Sequence, residues 1–202
     1  EKTLEKILNE KGIEYELDEG GGAFYGPKID IHIEDAIGRL WQCTTVQFDF
    51  NLPERFELNY AGEDGQDHRP YMVHRAIFGS LERFFGILIE HYAGSFPVWL
   101  APVQAVVIPI TDRNVEYANY VVDEFSQKGI RIELQNRGGR MQSRIRDAQM
   151  MKIPYMFIVG DRESESSSVS VRLRDGTDLG PQSISVLCER ILGEIISKRD
   201  ST

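Results

Sequence analysis

The chain has 202 residues, 41% of them hydrophobic, with two cysteines and a formal net charge of −9. That length allows one large domain or two of about 100 residues each, and no apolar run approaches the roughly 18 residues needed to span a bilayer. The acidity argues against an indiscriminate nucleic-acid binder, while Cys43 and Cys188 are too few and too far apart for a disulfide framework, so a reducing compartment is expected.

The chain opens on Glu1, without the basic-then-apolar start of a signal peptide, which suggests a piece of something longer. Thr3 is the expected cap of a helix over residues 4–11, with Gly12 as its stop. Residues 13–18 read as a short extended run before Gly20-Gly21-Gly22. Ile29, Ile31 and Ile33 alternate with Asp30, His32 and Glu34, predicting a strand with one buried and one polar face. Gly38-Arg39 then turns into LWQCTTVQFDF over residues 40–50, where Gln42, Thr44, Thr45 and Gln47 interleave with apolar positions. A strand near residues 56–61 precedes the loop GEDGQDHRP. After Gly79-Ser80, Leu81, Phe84, Phe85 and Leu88 recur at helical spacing up to Gly94. Helices flanking a mainly antiparallel sheet make an α+β arrangement for residues 1–100.

A boundary is expected at Ala101-Pro102, after which strands and helices alternate. Strands are predicted at 103–110, 130–134, 155–160 and 169–174. Helices are predicted from Thr111-Asp112 to 128, over 140–151 and over 184–198. Asp175-Gly176 signals a tight turn. This grammar implies a mixed or parallel sheet in an α/β domain over residues 101–202. The charge divides as well: residues 1–100 carry 9 Lys and Arg against 18 Asp and Glu, and the second half carries 14 of each. Arg137, Arg140, Arg144 and Arg146 fall within ten residues free of acid, a local patch suited to phosphates.

Four features carry candidate chemistry. Arg83 sits among bulky apolar residues and reads as a half-buried guanidinium, which needs an anionic partner. Neighbouring Glu82 is one candidate and a substrate phosphate is the other. The glycine-rich run ending in Lys28 lets backbone N–H groups approach an anion, although a hairpin loop explains it equally well and the spacing is not that of a P-loop. The polar set in residues 42–47 reads either as a ligand-binding floor or as a solvated sheet face. His32, His68, His74 and His91 form no metal-ligand pattern with one another or with cysteine.

Together, GAFYGPK, WQCTTVQFDF, GED, HRAIFGSLERFFGILIEHYAG and FPVWLAPVQ closely resemble the threonyl-tRNA synthetases, class II aminoacyl-tRNA synthetases, over essentially the whole chain. The resemblance implies an antiparallel class II catalytic fragment over residues 1–100, followed by a mixed-sheet anticodon-binding domain over 101–202. GSLER then looks like motif 3, whose arginine, here Arg83, holds the γ-phosphate of ATP. Lys28, Gln42 and Ser80 match positions near the nucleotide, with Arg83 and Lys28 carrying the catalytic charge. Tyr25, Gln47, Ala23 and Thr45 match the surroundings of threonine. His74 matches one ligand of a zinc ion that holds the threonine amino and hydroxyl groups. Glu163 and Arg172, with Arg137, Arg140 and Arg144, match the anticodon-reading surface.

The implied activity is ATP-dependent activation of threonine and its transfer to threonine tRNA, with Mg²⁺ and Zn²⁺ as cofactors. A homodimer of the full-length protein is implied too, in the cytoplasm or an organellar matrix. Motifs 1 and 2 and two zinc ligands are absent from these 202 residues, so this piece alone is expected to be inactive. Arg137-Gly138-Gly139 stands where the family often has Arg followed by Asn, which weakens one anticodon contact. A non-catalytic RNA-binding module, or a regulatory fragment of a synthetase, is the competing reading.

Overall fold

Alternation of polar and apolar residues in the first half builds a three-stranded antiparallel sheet. The computed structural model describes residues 1–136 and 138–198, which divide into two units, Glu1–His91 and Tyr92–Thr202. The first unit contains helix α1 (Lys2–Glu10), strands β1 (Lys28–Glu34) and β2 (Leu40–Asp49), and helix α2 (Asn51–Arg55). Two-residue strands β3 (Tyr60–Ala61) and β4 (Asp67–His68) follow, then β5 (Met72–Ala76) and helix α3 (Leu81–Tyr92). The sheet order is β1-β2-β5, and β3 and β4 form a separate ribbon.

One irregularity decides which β2 side chains share a face. Ile31 pairs with Thr44 and His32 with Gln42, which leaves Cys43 as an extra residue. Such a bulge breaks the two-residue period, so Gln42 joins Thr45 and Gln47 rather than opposing them. Lys28, Asp30 and His74 belong to that polar face by register.

Several expectations give way here. Glu1, not Thr3, occupies the cap position of α1, and it makes no side-chain cap bond. No strand forms over residues 13–18. The isoleucine face of β1 is not buried: Ile31 is 52% exposed. Helix α3 buries no residue, and the half-buried setting expected for Arg83 becomes an exposed one. Cys43 and Pro53 are the buried apolar side chains of this unit among the described residues.

The second unit has a complete core. Its elements are β6 (Ala105–Pro109), a short 3-10 turn (Asp112–Asn114), α4 (Val115–Ser126), β7 (Ile132–Leu134) and α5 (Met141–Met150). Then come β8 (Tyr155–Val159), α6 (Asp161–Glu165), β9 (Ser168–Leu173), β10 (Asp178–Ser183) and α7 (Ile184–Ser197). The sheet runs β10-β9-β8-β6-β7. β6 is parallel to β7 and β8, while β9 is antiparallel to β8 and β10. All five residues of β6 and of β8 are buried, as expected of strands covered on both faces. Val107, Phe157 and Val171 pack with Phe125 of α4 and Leu187 of α7 on one face. Val106, Ile108, Met156 and Ile158 meet Ile145 and Ala148 of α5 on the other.

The segment leading into β6 is held by polar groups. Gln104, fully buried, donates Nε2 to the Val98 carbonyl at 2.7 Å and accepts the Arg131 N–H at 2.9 Å. The Arg131 guanidinium donates to the carbonyls of Trp99 and Ala101. Residues 97–104 are thereby fastened to the sheet of the second unit.

Candidate functional site

The polar face of the first sheet converges on Asp30. Its carboxylate accepts from Lys28 Nζ, from Thr45 Oγ1 at 2.7 Å and from Gln42 Nε2 at 2.7 Å. Gln42 Nε2 also donates to Thr45 Oγ1 at 3.1 Å. Burial pushes the Asp30 carboxyl up, but the hydrogen bonds from Lys28, Thr45 and Gln42 and the charge of Lys28 hold it below its ordinary value. The site residues Lys28, Gln42 and Thr45 are thus brought together, tied to a carboxylate that the motif reading overlooked. Its signal was available: two residues from Lys28 in a strand, Asp30 must face the same way.

Further along this face Gln47, buried, pairs in register with His74. His74 Nε2 lies 2.8 Å from Asp49 Oδ2, and the Tyr25 ring meets the His74 ring edge-on at 6.1 Å. Ala23 is bridged to Gly26 in the turn that carries Tyr25. Gly26 has φ +152°, and a Cβ there would lie 1.8 Å from the Phe48 carbonyl oxygen. Only glycine lets this turn lie against β2. Burial pushes Asp49 up, yet the N–H groups of Leu52 and Asn51 and the His74 ring hold it below its ordinary value. Among the described residues no three His, Cys, Asp or Glu side chains are grouped to hold a metal ion. His74, expected as a zinc ligand, is thus hydrogen-bonded to Asp49, and these residues do not by themselves make a metal site.

Arg83 is not paired with Glu82. Ser80 Oγ caps α3 by accepting the Arg83 N–H at 3.2 Å and donates to Glu82 Oε2 at 2.8 Å, so Ser80 is engaged as a cap. Arg83 Nη1 donates to the Gln42 main-chain carbonyl at 3.2 Å, and its guanidinium lies 5.7 Å from the centre of the Trp41 ring. Arg39 lies over the same ring at 5.3 Å. A cleft of about 370 Å³ opens here, lined by Arg39, Trp41, Arg83 and Glu90 among others, but not by Lys28. Arg39 and the Trp41 ring are fixed from behind by Asp35. Fully buried, it accepts Trp41 Nε1 at 2.8 Å and Arg39 Nε at 2.5 Å. Burial pushes Asp35 up, but the hydrogen bonds from Trp41, Arg39 and Ile37 hold it far below the carboxylate range.

In the second unit Glu163 is already satisfied. Oε2 accepts the Gly160 N–H at 2.9 Å and Oε1 accepts the Ser170 hydroxyl at 2.8 Å. Arg172 lies two residues beyond Ser170 on the same face of β9, and its Nε is 3.3 Å from Asp178 Oδ2. Of the expected basic patch, Arg140 and Arg146 are exposed but Arg144 is not. Arg144, 7% exposed, is buried beside Ile145 and Ala148 and donates Nη1 to the Gln135 carbonyl at 3.1 Å. Four residues before Ala148 and next to Ile145, it shares their inward stripe. Arg140 is exposed at the start of the helix; Arg137 lies outside the described residues. Among the described residues no helix is long and apolar enough to cross a membrane.

Comparison with known proteins covers both units. Residues 1–92 match the family described as tRNA synthetase class II core domain (G, H, P, S and T), and residues 104–194 match the anticodon binding domain family. The threonine–tRNA ligase of a Sulfurihydrogenibium species is 55% identical over 199 residues, 98% of this chain and 31% of that protein. That of Aquifex aeolicus is 52% identical over 198 residues, again 98% and 31%. The chain therefore spans about a third of the length of these curated relatives. The solved RNA binding domain of threonyl-tRNA synthetase from Cryptosporidium parvum superposes with a TM-score of 0.83 at 37% identity, covering 94% of this chain and 48% of that one. With both units matched in order and relatives of one kind along nearly its whole length, the chain is similar to a segment of the threonyl-tRNA synthetases in which class II core is joined to an anticodon-binding domain.

Proposed function

We propose that this chain serves a threonine–tRNA ligase, contributing residues 1–100 to the catalytic domain and residues 101–202 to anticodon recognition. The reaction has two steps. The threonine carboxylate attacks the α-phosphorus of ATP and pyrophosphate leaves; a 3′-terminal ribose hydroxyl of threonine tRNA then attacks the adenylate carbonyl and AMP leaves. No side-chain nucleophile takes part, so the protein's task is positioning and charge stabilisation. Arg83 and Lys28 meet the phosphates, with Gln42 and Ser80 at the nucleotide. Tyr25, Gln47, Ala23 and Thr45 wall the threonine site. Mg²⁺, when bound, would neutralise phosphate charge. Zn²⁺ held in part by His74 would distinguish threonine from valine by its hydroxyl, a polar group whose absence a metal site penalises. Glu163 and Arg172, with Arg137 and Arg140, serve the anticodon; Arg144 supports α5 from inside. The working protein is a homodimer in the cytoplasm or an organellar matrix.

The observation that carries this reading is the Arg83 guanidinium, which lies over Trp41 with its neighbouring carboxylate turned to Ser80. The guanidinium donates to a main-chain carbonyl and forms no ion pair with Glu82 or Glu90, which line the same cleft, so donors of its fork remain for an anionic ligand. The test is threonine-dependent pyrophosphate exchange by the protein at the length of its relatives. Arg83→Ala is expected to reduce exchange about 100-fold or more, the loss typical of removing a transition-state donor. Normal exchange in that variant removes the phosphate role. No exchange by the parent protein, with retained tRNA binding, leaves the RNA-binding module that the complete core of the second unit also suits.

A further inference from the structure

Strand β9 brings two polar groups to one face. Ser170 and Arg172 lie two residues apart on it and pair with Ile158 and Met156 of β8. Those two neighbours belong to the core under α5, which includes no residue of β9 among the described residues. β9 therefore continues this face of the sheet beyond the helix, while its other face, with Val169 and Val171, is buried in the opposite core. Glu163 meets the open face from α6, where Ser170 donates its hydroxyl to Glu163 Oε1 at 2.8 Å. The other carboxylate oxygen, Oε2, accepts the Gly160 N–H at 2.9 Å and closes the first turn of α6. A carboxylate offers about four acceptor positions, so each oxygen keeps one beyond the donor it already has.

We infer that Ser170 is a positioning residue for anticodon reading, its hydroxyl holding the Glu163 carboxylate in the orientation that meets a base edge. This rests on the reading of Glu163 as an anticodon contact. A glutamate left loose turns about several side-chain bonds and loses that freedom when it binds. One already fixed by its neighbours loses less, which is how preorganisation raises affinity. The plainer role, closing α6, belongs to the opposite oxygen and Gly160, and it leaves the bond from β9 unexplained.

The test measures binding of the full-length protein to threonine tRNA and to transcripts in which each anticodon base is replaced in turn. Discrimination is the ratio of the two affinities. Glu163→Gln is expected to lower it at one anticodon position. Ser170→Val, which removes the hydroxyl, should lower it at that same position by about 10-fold, the scale of one hydrogen bond to a charged group. Ser170→Thr, which restores the hydroxyl at the same size, should keep it. In a Glu163→Gln background Ser170→Val should add no further loss, because a group acting only through another is not additive with it. Equal discrimination by Ser170→Val and Ser170→Thr overturns the inference and spares the reading of Glu163. So does an affinity loss equal for every transcript, as a purely structural role gives, or an additive loss in the double variant. Full discrimination in Glu163→Gln overturns both. Should Ser170→Val fail to fold, Ser170→Ala takes its place in each comparison.

Discussion

The two units differ in the balance of what they bury. The second encloses Phe125, Phe157, Leu187 and Ile191 on one side of its sheet and Ile108 and Met156 on the other. The first leaves Leu40 and Leu81 each 69% exposed, and Phe85 56% exposed, yet buries Asp35, Gln47 and Asp49. Apolar burial at about 25 cal/mol per Å² is the main source of folding stability, so the second unit holds its shape by packing. The first is organised by carboxylates, each collecting several donors: Asp30 from Lys28, Gln42 and Thr45, Asp35 from Arg39 and Trp41, Asp49 from α2 and His74. Polar networks of this kind orient side chains well, and they are costly once one member is removed.

The sharpest test of this contrast is a matched pair of truncations. Phe157→Ala should destabilise the second unit by about 3–5 kcal/mol, as expected for a fully buried aromatic. Leu81→Ala should change stability by no more than about 0.5 kcal/mol, as at ordinary surface sites. Urea unfolding of this chain measures both, and similar losses would abolish the distinction. Next in size is Gly26→Ala, whose new Cβ would meet the Phe48 carbonyl oxygen at 1.8 Å. A loss of about 2 kcal/mol or more is expected from the strain and displaced turn, read from the same curves. A wild-type curve would show that the turn does not lie against β2.

The smallest effect concerns acid. Asp35 is held below its ordinary range, so its contribution is fully present above the unfolded carboxylate value of about 3.9 and is lost as pH falls through its folded value. Asp35→Asn should therefore flatten the acid side of the first unit's stability profile below about pH 4. Trp41 fluorescence in a Trp99→Phe background reports it, since the chain has only these two tryptophans. An unchanged acid limb would mean that Asp35 does not organise the Trp41 platform.

How far the sequence could be read follows the same division. In the second half, uninterrupted apolar strands and glycine-marked turns placed β6, β8, β9 and the three long helices within a few residues. β10 was missed because Gly180 and Pro181 interrupt it, and both residues sit at its bulged, edge-strand end. In the first half β5 carries no strand signal of its own between the GEDGQDHRP loop and the helix, and α2 is masked by Pro53, which a first helical turn tolerates.

Local sequence alone determined the strand and helix grammar, the family resemblance and the identity of Arg83, Lys28, Gln42 and His74 as candidate groups. These depend on residue type and spacing, which the linear chain displays. Only the tertiary structure decided that Cys43 bulges out of register and turns Gln42 toward Asp30, that Arg83 is exposed over Trp41 and not buried, and that Arg144 is a core residue. Pairing register and burial arise from segments distant in the chain, and no local pattern contains them.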